Sequence, residues 1–240
     1  MTKTIKALPK PDPRLAPLYS VREAASYLGL SPSTLRDWVH GYRHSVNGGI
    51  AVSGKPIIQK VSARLGDPTI PFVGLVEGAV LRAFREAGVP LQRIRPALRR
   101  LETDMGLAHA LASKGLYTDG AEVLYDYATE TGDEDLRGLV VVRNQQRVFG
   151  EIVAQYLKRI SYAQDGWANR LWLPGFEAAR VIVDPKRAFG RPILETSRVR
   201  VEDIVDRWRA GDSIQELAKD YGLTGAEVED VIRASWQAAA

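Results

Sequence analysis

The chain has no cysteine and only three histidines in 240 residues. Without thiols there is no disulfide, no thiolate-held zinc and no cysteine nucleophile, which accords with a reducing compartment. His40, His44 and His109 lack the H-E-x-x-H type of spacing that sets two imidazoles around a metal. No glycine-rich loop fits a phosphate-cradling or dinucleotide pattern, and no catalytic triad can be assembled. Long apolar runs are missing as well. Nothing approaches the ~20 residues of a membrane span, and the opening MTKTIKALPKPDPRLAP contains no secretory core. We therefore expect a cytoplasmic protein that is not an enzyme, with no metal, no cofactor and no membrane partner. The sharpest enzyme alternative is a Mg²⁺ nuclease built on Asp203, Asp206 and Asp212 or on Glu227, Glu229 and Asp230. Their Lys and Arg neighbours at helical spacing read instead as solvated faces.

What is present is charge that changes sign along the chain. Residues 1–115 carry 17 Lys and Arg against 8 Asp and Glu, a net of +9. Residues 116–240 carry 16 against 21, a net of −5, which restores the formal +4 of the whole. A basic first half suits a polyanion, and an acidic second half suits a different partner.

Two stretches share one plan: SVREAASYLGLSPSTLRDWV from Ser20 and SIQELAKDYGLTGAEVEDVI from Ser213. In each a Ser with Glu three residues on forms a capping box. Gly29 or Gly222 closes that helix in the left-handed region, and Ser31-Pro32 opens the next in the first copy. Two helices joined by a turn of about three residues make a helix-turn-helix. In the first copy Leu35, Trp38 and Val39 point inward and leave Ser33, Thr34, Arg36 and His40 outward. Small hydroxyls suit phosphates, and Arg36 is long enough for a guanine edge. Downstream, VNGGIAVSGKPIIQKV reads as short strands, or a wing, carrying Lys55 and Lys60. The second copy shows Ala226, Glu227 and Glu229 beside Asp230 where the first has its hydroxyls and Arg36, a face that phosphates repel.

Between the copies, FVGLVEGAVLRAFREA predicts an amphipathic helix. A second, from Pro90, leaves Arg93, Arg95, Arg99 and Arg100 outside, with Glu102 placed to pair with Arg99 or Arg95. Asp119-Gly120 in KGLYTDGAEVLYDY predicts a hairpin, LRGLVVVRN a buried strand, RVFGEIVAQYLKRI a helix, and ISYAQDGWANRLWLPGF two short strands. The fold class expected is mainly α with small β hairpins, a winged helix-turn-helix followed by a second, helix-turn-helix-like three-helix unit. We divide it into a flexible tail (1–17), a DNA-binding domain (18–115), a mixed α/β connection (116–179) and the three-helix unit (180–240). A helix-turn-helix that engages two half-sites predicts a homodimer.

The run Y-S-V-R-E-A-A-x-Y-L-G-L-S-P-S-T-L-R-x-W resembles the opening of MerR-like and excisionase-like winged helix-turn-helix proteins, roughly from Leu18 to Gln59. The resemblance implies that Ser33, Thr34, Arg36, His40, Tyr42, Arg43 and Lys55 face double-stranded DNA. The marks VDPKRAFGRPIL, RVRVEDI, RAGDSIQELAKDYGLT and EVEDVI resemble domain of unknown function 433. Members of that family serve as antitoxins beside PIN-type ribonuclease toxins. A form with a MerR-like N-terminus corresponds to the larger VapB-like antitoxins of actinobacteria. This implies an antitoxin that neutralises a PIN-type ribonuclease toxin and represses its own operon on operator DNA. Arg198, Glu227, Glu229 and Asp230 are the partner-binding candidates of the three-helix unit, which serves toxin binding or dimerisation. The chain departs from the family in having Thr196-Ser197-Arg198 where Gly-Thr-Arg is usual. The alternative is a one-component MerR-like transcriptional regulator with a C-terminal ligand-sensing or dimerisation domain.

Overall fold

The structure, a computed structural model, describes residues 12–45, 51–58, 60–61, 68–143 and 146–237. Strand β1 (Pro17–Tyr19) leads into helices α1 (Val21–Leu28) and α2 (Pro32–His40). An antiparallel hairpin of β2 (Tyr42–Ser45) and β3 (Ala51–Gly54) follows as the wing. Its expected Gly48-Gly49 turn lies outside the described residues. Strand β4 (Ile70–Pro71) returns to pair with β1 and starts helix α3 (Phe72–Glu86). Every residue of α3 from Phe72 to Leu81 is buried, so it is a central helix wrapped on all sides rather than an amphipathic one. Helix α4 (Leu91–Met105) turns Ile94, Ala97 and Leu101 inward.

The Asp119-Gly120 hairpin expected next is replaced by helices α5 (Lys114–Thr118) and α6 (Gly120–Thr131). The type I′ turn that Asp-Gly favours needs positive φ at both central residues, whereas Asp119 sits at φ −117° and Gly120 is absent from the positive-φ residues. Ala121, Leu124 and Ala128 are buried at helical spacing, and that packing prevails over the turn signal. A short α7 (Glu134–Arg137) leads to a hairpin of β5 (Val140–Arg143) and β6 (Gln146–Phe149). There Val141 and Val142 are exposed, which corrects the expected buried strand, and β6 takes the first part of the expected helix. The rest is α8 (Glu151–Leu157).

Strands β7 (Ile160–Tyr162), β8 (Ala168–Trp172), β9 (Val181–Val183) and β10 (Ile193–Leu194) form one antiparallel sheet in the order β10-β9-β8-β7. Helices α9 (Val201–Arg209), α10 (Ile214–Tyr221) and α11 (Gly225–Gln237) complete the three-helix unit. The fold is mostly helical with small antiparallel sheets, as expected. One apolar core runs through it, from Tyr19 and Trp38 through Phe84, Leu124 and Val183 to Ile204 and Val231. Residues 12–17 are not a free tail: Arg14 pairs with Asp12 and Asp165, and its carbonyl accepts the Val73 N–H at 3.2 Å.

The two copies of the helix-turn-helix plan have the same local geometry. Ser20 and Ser213 each accept the N–H of the Glu three residues on at 3.2 Å, and each Glu reaches back to the Ser N–H at 2.8 Å. Gly29 and Gly222 end the helices at φ 60° and 65°. Leu30 and Leu223 close the turn by donating to Ala25 and Ala218 at 2.9 and 2.8 Å.

A candidate nucleic-acid interface

Helix α2 is started by Ser31, whose hydroxyl accepts the Thr34 N–H at 3.2 Å, and Pro32 fills the first helical position, where no donor is needed. Leu35, Trp38 and Val39 are buried, while Ser33, Arg36 and His40 are exposed and Thr34 half-buried. The Ser33 and Thr34 hydroxyls gather on Ser31 at 3.1 and 2.8 Å. The outward row therefore begins with three hydroxyls and continues to the Arg36 guanidinium. Small hydroxyl donors of this kind suit phosphates, and a long exposed cation suits a base edge.

The wing is locked to this helix at its root. Ile57 and Ile58 both donate to the Trp38 carbonyl, at 2.8 and 3.1 Å. Gly41 turns at φ 77°, and a Cβ there would run into the Gly54 carbonyl, so only glycine lets β2 and β3 meet so close to α2. Tyr42 lies under the Arg95 guanidinium, 5.1 Å from ring centre to cation. Arg95 also donates to the Lys55 carbonyl at 3.1 Å. Arg43, Lys55 and Lys60 remain exposed around this root. Lys60 donates to His40 Nδ1 at 3.1 Å. Burial, then Lys60 and Arg36, hold the His40 pKa below its ordinary 6.5, so near neutral pH the ring is an uncharged acceptor.

The arginines of α4 divide their work. Arg95 braces the wing, Arg93 reaches Asp133 at 3.5 Å, and Arg100 spans Asp104 and Glu130 at 2.5 and 3.2 Å. Arg99 is exposed. Among the described residues Glu102 forms no ion pair with Arg99 or Arg95. Burial and the nearby Glu77 raise its pKa, against His109, and His109 itself bonds Glu77 at 2.8 Å. The bracing by Arg95, and the 5.8 Å stacking of Arg85 on Trp38, are tertiary contacts with no periodic signal. Sequence reasoning had no means of finding them.

The C-terminal candidates do not form one outward face. Asp230 is only 4% exposed. Its Oδ2 accepts the backbone N–H of Glu177, Ala178 and Ala179 at 2.7, 2.8 and 2.9 Å, and Arg233 donates to its Oδ1 at 2.5 Å. This corrects the expectation that Asp230 faces a partner: it pins the loop after β8 to α11. Burial alone would raise its pKa, but the three backbone donors and Arg233 prevail and lower it. Glu227 caps α11, accepting the Thr224 N–H at 2.8 Å, and Glu229 is exposed. Arg198 is exposed and takes φ 62°. The left-handed residue of this turn is thus Arg198 rather than Thr196, and the missing glycine costs nothing there. Two further carboxylates of the nuclease alternative are ion-paired, Asp203 by Arg200 at 2.6 Å and Asp212 by Arg207 at 2.5 Å. No group of three or more metal-ligating side chains converges among the described residues, and no described helix is long and apolar enough to cross a membrane.

Comparison with known proteins agrees with both ends of this reading. A family described as "Putative DNA-binding HTH domain" matches residues 17–98, and "Protein of unknown function (DUF433)" matches residues 181–233. The chain is 45% identical over 224 residues, 91% of its length and 93% of the relative's, to "Putative antitoxin VapB45" of Mycobacterium tuberculosis strain H37Rv. It is 27% identical over 221 residues, 90% of its length and 88% of the relative's, to the uncharacterized protein Rv2308 of the same strain. The crystal structure of Rv2018 from Mycobacterium tuberculosis superposes with a TM-score of 0.79 at 42% identity, covering 90% of this chain and 97% of that one. With a helix-turn-helix of this geometry and whole-length similarity of this extent, the chain belongs to the family of the mycobacterial "Putative antitoxin VapB45".

Proposed function

We propose that the chain is the antitoxin of a toxin–antitoxin pair, a cytoplasmic, non-enzymatic homodimer. In a MerR-like manner it binds double-stranded operator DNA through α2 and the wing and represses its own operon. Its C-terminal unit, including Arg198 and Glu229, captures and silences a PIN-type ribonuclease toxin. The observation that carries this reading is an exposed helix-turn-helix with a basic wing (Arg43, Lys55, Lys60) within a chain similar along its whole length to a protein named as an antitoxin. The acidic sign of the second half supports the toxin partner, since a ribonuclease must attract RNA with basic surface, and opposite charge speeds encounter.

The test is to co-express the full chain with a PIN-type ribonuclease from the same operon and follow RNA cleavage, while measuring binding to the operon's promoter duplex. Cleavage should stop and the duplex should be bound. Arg36→Ala should weaken the preferred sequence by roughly 1–3 kcal/mol and relax base preference. Undiminished cleavage alongside tight duplex binding would overturn the antitoxin part.

That outcome would favour a second reading, a one-component regulator, for which one feature speaks. A groove of about 410 Å³ lies between α1 and the C-terminal unit, lined by Tyr27, Leu173, Phe176, Val201 and Val205. Its size and apolar lining suit a small effector.

A further inference from the structure

The acidic half contains a basic island. Residues 180–200 hold six Lys and Arg (180, 186, 187, 191, 198, 200) against Asp184 and Glu195, a net of +4 within a half whose sum is −5; four of the six are ion-paired, Arg180 with Glu195, Arg187 with Asp184, Arg191 with Glu23 and Arg200 with Asp203. At its centre Ala188, Phe189 and Gly190 take φ of 44°, 53° and 74° in succession. Two of these are not glycine, and the left-handed region is unfavourable for them. The turn nonetheless holds Phe189 out at 90% exposure, the highest of the exposed large hydrophobics among the described residues.

Interior bonds enforce this shape. Gly190 donates to the Arg187 carbonyl at 2.8 Å and Arg191 to that of Ala188 at 2.9 Å. The fully buried Tyr19 donates its hydroxyl to the Gly190 carbonyl at 3.0 Å. A Cβ on Gly190 would sit 2.6 Å from that hydroxyl, so the turn is seated against β1. Arg191 also pairs with Glu23, in the first turn of α1. The basic island is therefore docked on the N-terminal end of α1, far along the chain from the reader helix but part of the same body.

That position selects the partner. When the second helix of a helix-turn-helix lies in the major groove, the first crosses the phosphate backbone, and a turn docked at the start of α1 flanks that crossing. Lys186 and Arg187 are both exposed beside it, Arg187 within 3.4 Å of Asp184. We propose that the 186–191 turn is a second DNA contact, with Lys186 and Arg187 on phosphates and Phe189 as an apolar wedge at the adjacent minor groove. This rests on the DNA-binding reading above and extends its footprint into the C-terminal unit.

The experiment titrates the full-length protein with mixed-sequence duplex DNA over a range of salt, because phosphate contacts need no particular sequence. Lys186→Ala/Arg187→Ala should flatten the slope of log K against log salt by about 0.9 per lost contact, up to about 1.8 for two. Phe189→Ala should weaken binding several-fold and leave the slope intact. All three side chains are exposed, so thermal melts should match the parent and exclude misfolding. Slopes and affinities equal to the parent's would overturn the proposal. So would a Phe189→Ala chain that loses only its dimer mass by light scattering, or only its hold on a toxin, since either marks a protein contact. If the parent itself ignores duplex DNA, the DNA-binding reading falls too. If the parent binds and Arg36→Ala behaves as expected while the turn variants change nothing, this inference alone fails.

Discussion

Asp230 shows what a single side chain can decide. It occupies the place that Asp37 holds in the first copy, yet it serves the interior, as the acceptor for three backbone donors that otherwise have no partner in that loop. Asp230→Ala leaves those N–H groups unsatisfied, and we expect a loss of about 1–3 kcal/mol, read as a lower chemical denaturation midpoint. Its folded pKa is depressed, so the contribution is whole above the ordinary 3.8 and fades as pH falls below it. The variant should therefore lose Asp230's share of the parent's acid sensitivity in that range, while Asp12, Glu23 and Glu86, also lowered, keep theirs. Glu229→Ala on the exposed neighbour should leave the midpoint within about 0.5 kcal/mol. Equal losses for the two would contradict the assignment.

At the scale of elements, local chemistry was legible and long-range packing was not. Both capping boxes, both left-handed glycines, the Pro32 start and the inward Leu35, Trp38 and Val39 could be read because each signal lies within a few residues of its effect. The α5–α6 pair could not, because the Asp-Gly turn signal is outweighed by the burial of Ala121, Leu124 and Ala128 against elements distant in sequence. The same applies to the site. The outward residues of α2 followed from helical period, but Arg95 over Tyr42 and Asp230 under the loop after β8 depend on tertiary neighbours. The duplication provides its own control. Ser20→Ala and Ser213→Ala remove the same cap and should each cost about 1 kcal/mol. Only Ser20→Ala should also weaken duplex binding, because only its helix supports a neighbour with exposed hydroxyls and Arg36 in place of acidic residues. Similar binding losses from both would mean that the second copy touches DNA as well.

For the whole molecule, the continuous core implies one cooperative unit. Phe84 of α3 faces Phe149 at 6.0 Å between ring centres, and Tyr156 of α8 donates to Glu86 at 2.7 Å, so the first 115 residues lack a cover of their own. Full-length protein should melt in a single transition, with calorimetric and van't Hoff enthalpies in agreement. Residues 1–115 alone should not; a fragment melting like the parent would show the halves to be independent. The joint from Tyr19 to Gly190 and from Glu23 to Arg191 then has a thermodynamic meaning. Coupling between two sites is reciprocal: if a protein held by the C-terminal unit shifts this joint and loosens the grip on the operator by some factor, the operator loosens the grip on that protein by the same factor. On the function proposed above, promoter occupancy would then vary with the amount of partner bound, and the joint built from one tyrosine hydroxyl and one arginine would be the place to look for that coupling.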